Sequence, residues 1–115
     1  MGIDVGSIST NCVVITPEGE VLSEIYMRGD GHPIESVQKC LSQLTAQLSD
    51  TYCVKGVCTT GSGRILAGAV VGADVIKNEI SAHARATIDL YPDVRTIFAI
   101  GGQDSKVTIV RDGAI

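Results

Sequence analysis

GIDVGSIST at residues 2–10 and IGGQDSK at 100–106 decide how this chain folds. In each, an apolar run meets glycine and a second apolar run follows. That pattern reads as a strand turning sharply into another strand. Glycines at such a turn let the backbone approach a phosphate closely and let several N–H groups share one concavity. Gly6, Ser7 and Ser9 are the candidate contacts in the first stretch, and Gly101 and Gly102 in the second. Asp4 and Asp104 stand where they reach a magnesium ion held by those phosphates. Gln103 is placed to orient an attacking water, as a glutamine does in some GTPases. Two such loops, on opposite ends of the chain, predict a nucleotide cleft between two sheet-bearing lobes. A plain hairpin turn is the alternative at each loop, and it accounts for Gly101 and Gly102 without a ligand.

Outward from the first loop, residues 2–6 read as a short strand. Residues 11–16 are rich in β-branched side chains, and Pro17-Glu18-Gly19-Glu20 is a turn signal before a strand over 21–27. These make an antiparallel meander. From Pro33 the apolar period changes to that of a helix. Ile34, Val37, Leu41, Leu44 and Leu48 share a face over 33–48, with Pro33 at the first helical position. His32 reads as a solvent-facing residue before it. VKGVCTT at 54–60 reads as a buried strand leading into GSGR, then a short helix over 65–71. A second amphipathic helix is expected over 75–90, carrying Ile76, Ile80, Ala84, Ile88 and Tyr91, and both helices are expected to pack on the sheet. Strands at 96–100 and 106–111 close the chain, with Ile97, Ile100, Val107 and Ile109 expected to share a water-facing side unless a partner covers it.

The fold class is therefore α/β. A meander, a helix and a strand parallel to the first form a ribonuclease H-like lobe over residues 1–94. The closing hairpin repeats the opening one, so residues 95–115 are expected to open a second lobe that is truncated here.

Smaller signals have two readings each. Thr59, Thr60 and Ser62 either cap a helix or touch phosphate. Glu79 and His83, one helical turn apart, form a polar pair on an exposed face or contribute to the cleft.

Composition narrows the function. The 115 residues amount to about one modest core. Hydrophobic residues make up 44% and aromatics 3%, so the core must be aliphatic. The net charge is −4, with no cluster of Lys or Arg, which argues against nucleic-acid binding. No run reaches the roughly 18 apolar residues needed to span a bilayer. The first strand begins without a basic segment and apolar leader, so a cytoplasmic location is expected. Cys12, Cys40, Cys53 and Cys58 show no CxxC spacing. They read as reduced thiols, with Cys12 and Cys58 in apolar strands.

At these residues the sequence resembles the BadF/BadG/BcrA/BcrD ATPase family, in particular activators of 2-hydroxyacyl-CoA dehydratases within the sugar kinase/Hsp70/actin superfamily. GIDVGSIST, TTGSGR at 59–64, NEISAHA at 78–84 and IGGQDSK follow in the family's order across essentially the whole chain. The resemblance implies ATP and magnesium bound between two lobes. It implies hydrolysis that changes the interlobe angle and gates one-electron transfer from a 4Fe–4S cluster to the dehydratase. That cluster would be shared by a homodimer, with its ligands downstream of this chain. It also adds Asn11 to the cofactor-binding set, at the position where the first motif often ends in Lys. Ala99 stands where the second motif often has an acidic residue. A small-molecule kinase of the N-acetylhexosamine type, from the same superfamily, and an inert regulatory fragment remain the alternatives. On any of these readings the chain alone is expected to turn over little ATP, because most of the second lobe is missing.

Overall fold

The computed structural model describes residues 1–115. Three strands open it: β1 (Gly2–Val5), β2 (Ser9–Ile15) and β3 (Val21–Arg28). They pair antiparallel, with Asp4 opposite Asn11 and Cys12 opposite Ile25. Helix α1 (Pro33–Gln47) follows, then β4 (Cys58–Thr60), α2 (Arg64–Val71) and β5 (Val75–Ile76). β4 runs parallel to β1, and β5 parallel to β4. The sheet order is β3-β2-β1-β4-β5, the ribonuclease H-like arrangement. β1 thus lies in the middle of the sheet. Helix α3 (Glu79–Leu90) leads to β6 (Thr96–Ile100) and β7 (Ser105–Ile109), which pair only with each other.

One face of the large sheet makes the core. Strand alternation sends Ile3, Val5, Cys12, Val14 and Ile25 to that face. Val37, Cys40 and Leu44 of α1 and Ala67 of α2 cover it. Each fully buried Val, Leu or Ile contributes roughly 1.5–3 kcal/mol. Truncating Leu44, which is 2% exposed, to Ala would cost about 2–5 kcal/mol. The core is aliphatic, as a chain poor in aromatics requires.

Three expectations need correction. The strand expected over 54–60 is limited to Cys58–Thr60. Residues 54–56 lie beyond the start of β1, and Val57 reaches β5 only through its carbonyl, which accepts from Val75 N–H at 3.2 Å. The helix expected from Val75 starts at Glu79. Val75 and Ile76, both β-branched, instead join the sheet, and the Asn78 side chain accepts a hydrogen bond from Ser81 N at 2.9 Å to cap the helix. That helix was also expected to pack on the sheet, yet α3 buries only Ala84, and Leu90 and Tyr91 are exposed.

Candidate nucleotide cleft

Both glycine loops are strand-to-strand turns. Gly6, Ser7 and Ile8 join β1 to β2, tightened by a Gly6 N–H donating to Ser9 O at 2.9 Å. Residues 101–104 join β6 to β7, closed by Gly101 N–H donating to Asp104 O at 2.8 Å. The amides of Ser7 and Ile8, and of Gly102, Gln103 and Asp104, donate no hydrogen bond within the chain. Backbone N–H groups left free in a tight turn are what an anion-binding concavity uses.

The two loops face one cleft of about 320 Å³. Asp4, Gly6, Ser7 and Ser9 line it from the first loop. Gly101, Gly102, Gln103 and Asp104 line it from the second. Asn11 does not line this cleft but lies opposite Asp4 in the β1–β2 ladder. It lines the uncovered face of the large sheet with Glu24 and Tyr26, and its Nδ2 donates to Ser9 Oγ at 3.3 Å.

The turn after β4 forms the floor. Gly63 N–H donates to Val5 O at 2.9 Å, and Ser62 Oγ to the same carbonyl at 3.4 Å. Gly61 has φ +88°, and a Cβ there would overlap both Asp4 Oδ1 and the Val5 carbonyl. Only glycine lets this turn press against the end of β1. Helix capping was one reading of Thr59, Thr60 and Ser62, but α2 has no side-chain cap. Thr59 is fully buried and donates to Arg64 O at 2.9 Å, and Thr60 Oγ1 is buried without a partner. Ser62 alone of the three lines the cleft.

Burial pushes the Asp4 carboxyl above its ordinary pKa, and nearby Glu79 adds to the rise. His83 and the Asn11 side chain oppose it. No ion pair neutralises Asp4. A half-buried carboxyl without a basic partner, beside free amides, suits a hard cation that brings its own phosphate oxygens. No three acidic, His or Cys side chains gather into a ready-made metal site. Magnesium does not require one, since it keeps waters and takes one or two carboxylates.

Glu79 and His83 both line the cleft, but they do not pair with each other as a helix-surface couple would. Glu79 pairs instead with Arg64 and Lys106. Lys106 was not singled out in the sequence. The usable signal is the strand period: residues 104, 106 and 108 fall on one side, and Asp104, Lys106 and Thr108 all line the cleft.

The cysteines do not fit an iron–sulfur cluster. Cys12 and Cys40 are sealed in the core, and burial pushes the Cys12 thiol up to about 12, far from a thiolate ligand. Cys53 is exposed and Cys58 half-buried.

The sequence pattern of the BadF/BadG/BcrA/BcrD ATPase family matches residues 1–115. The chain belongs to this family. Among the relatives of this family member is the (R)-2-hydroxyglutaryl-CoA dehydratase activating ATPase of Acidaminococcus fermentans, 30% identical over the whole chain and 44% of the relative. Another is the 2-hydroxyisocaproyl-CoA dehydratase activator of Clostridioides difficile, 36% identical over 93% of the chain and 39% of the relative. The family member thus spans about two fifths of the length of the curated relatives it matches. A solved structure of the Clostridium difficile 2-hydroxyisocaproyl-CoA dehydratase activator with bound ADPNP superposes with a TM-score of 0.84 at 30% identity. That match covers 99% of this chain and 42% of the other. A Listeria monocytogenes protein proposed to be an N-acetylmannosamine kinase shares the fold alone, at TM-score 0.59 and 15% identity over 98% of this chain and 47% of the other. No helix is long and apolar enough to cross a membrane.

Proposed function

We propose that this chain is the nucleotide-binding part of an ATPase that activates a 2-hydroxyacyl-CoA dehydratase. The observation that carries the reading is the pair of glycine loops, each with unbonded amides, facing one cleft beside an unpaired, desolvated Asp4. Support comes from relatives named as dehydratase activators and from the ADPNP held by a similar structure. In this reading the loop amides hold the phosphates, Asp4 and Asp104 hold magnesium, and Gln103 orients the attacking water. Residues 95–115 open a second lobe, and the full-length protein works in the cytoplasm as a homodimer. A 4Fe–4S cluster, as in the resemblance noted above, would take its ligands from outside this chain.

The test is steady-state hydrolysis beside calorimetric binding in the full-length protein. Asp4→Ala and Gln103→Ala should each lower kcat by roughly 10²-fold or more while ATP affinity changes much less, because positioning of metal and water acts on the transition state. Wild-type turnover in both variants would remove these roles. The 115-residue chain alone should bind Mg-ATP weakly and hydrolyse it negligibly.

A further inference from the structure

A chain of charges runs along the cleft, and the proposed hydrolysis leaves all of it but Asp104 without a role. Arg64 Nη1 lies 3.5 Å from Glu79 Oε2, and Lys106 Nζ lies 3.9 Å from Glu79 Oε1. Lys106 Nζ also donates to Asp104 Oδ2 at 2.6 Å. Arg64 begins α2, braced by its own Nη1 donating to Gly61 O at 3.0 Å. Glu79 begins α3, and Lys106 lies on β7. The Lys106–Glu79 pair is the one ion pair joining the β6–β7 hairpin to residues 1–94, and no hydrogen bond crosses between the two sheets.

We propose that Lys106 is a polyphosphate ligand held in waiting by Asp104 and, more weakly, by Glu79, and that Glu79, anchored by Arg64, is a positioning residue whose tie to the hairpin the nucleotide breaks. The proposal rests on the nucleotide reading of the cleft. Lys106 lines that cleft together with Gly6, Ser7 and Gly102, so phosphates between the two loops lie within the span of its four-carbon stem. Its hydrogen bond to Asp104, and the charges of Asp104 and Glu79, hold its ammonium above the ordinary lysine range, so it is a cation at any working pH. The competition is uneven. Glu79 offers one carboxylate at 3.9 Å in a pair about one-third exposed on each side, a geometry that contributes little. A triphosphate offers several charged oxygens, and charge-assisted hydrogen bonds to them are roughly twice as strong as neutral ones. When Lys106 moves to phosphate, Glu79 keeps Arg64 and the hairpin loses its ionic tie to residues 1–94. Occupancy of the cleft thereby exchanges a direct tie between the hairpin and residues 1–94 for one that runs through the nucleotide.

The test uses the full-length protein and ATP itself, with binding followed by calorimetry. Lys106→Gln should weaken ATP about tenfold or more, and Lys106→Arg, which keeps the cation, should retain most of the affinity. Glu79→Gln should strengthen ATP binding by roughly twofold to fivefold, the scale of a partly exposed pair, because a competitor for Lys106 is gone. In the Lys106→Gln background the same change should have no effect. Without nucleotide, Glu79→Gln should speed amide exchange across β6 and β7. An equal loss in both Lys106 variants, a Glu79→Gln effect of the same size in both backgrounds, or an unchanged exchange rate would overturn the proposal. If the unaltered protein bound no ATP, the nucleotide reading itself would fall. Intact binding with additive variants would remove only this inference.

Discussion

Gly102 lies against the side chain of Ile8, so closely that a Cβ at 102 would overlap Ile8 Cγ1. The two glycine loops, from the two ends of the chain, therefore touch at their tips. Gly102→Ala should force Ile8 aside. Ile8 is part-exposed and has room to turn, so stability should change by less than about 1 kcal/mol. The loops, however, would no longer close to the same separation, and ATP affinity in the full-length protein should fall about tenfold, or ~1.4 kcal/mol. Calorimetry beside a melting curve separates the two effects.

Gly61→Ala should behave in the opposite way. Its positive φ and its overlap with Asp4 and the Val5 backbone leave nothing flexible to yield. The change should cost about 3 kcal/mol or more in chemical denaturation, and loss of binding should follow loss of fold. A variant of parental stability would mean that the turn can rebuild itself away from β1.

Asp4 should make the protein less stable as pH rises. Burial raises its folded pKa above the ordinary 3.8, so the folded state holds the proton more tightly than the unfolded chain. The stability this gives is fully present below pH 3.8 and is lost as pH climbs through the folded pKa. Asp4→Asn escapes that loss. Its melting temperature should match the parent in acid and exceed it by a few degrees near neutral pH, while hydrolysis falls. Parallel melting-temperature profiles for the two proteins would show that burial at Asp4 has no linkage to folding.

The hairpin should drive association of the isolated 115-residue chain. Phe98, Ile100, Val107 and Ile109 share its outer face and are between 57% and 83% exposed. Ile97, expected on that face, is on the other one and is half-buried, because it lies between Thr96 and Phe98 in a period of two. An uncovered apolar face on an isolated two-stranded ribbon seeks a partner, either as a dimer or by folding back. Size-exclusion chromatography with light scattering should give a species larger than a monomer at high concentration. Phe98→Ser combined with Ile100→Ser should shift it to a monomer. A monomeric parent with the face still open would end this account.

The meander and α1 were legible because their signals are local. A run of β-branched residues marks β2, the Pro17-Glu18-Gly19-Glu20 turn sets off β3, and Pro33 marks the change of period. Val75 and Ile76 were misread because two β-branched residues fit the end of a strand as well as the start of a helix, and only the neighbouring β4 decides. Asn78, three residues before the Ser81 amide it caps, was the local clue to the true helix start. The site divides in the same way. Its glycines and aspartates were visible as motifs. Glu79 finds Arg64 fifteen residues away and Lys106 on another sheet, and Gly102 finds Ile8 across the cleft; pairings of that kind exist only after folding.

β1 is the middle strand of its sheet, hydrogen-bonded on both sides, whereas β6 and β7 have only each other. The first loop is thus built into the part of the molecule that opens last, and the second into a ribbon that can open alone. On the proposed nucleotide reading, the ligand meets one wall already set and one wall it must help to order. Whatever steadies that ribbon from outside, a neighbouring strand or a second subunit, lowers the ordering cost of binding and tightens affinity without touching the ligand.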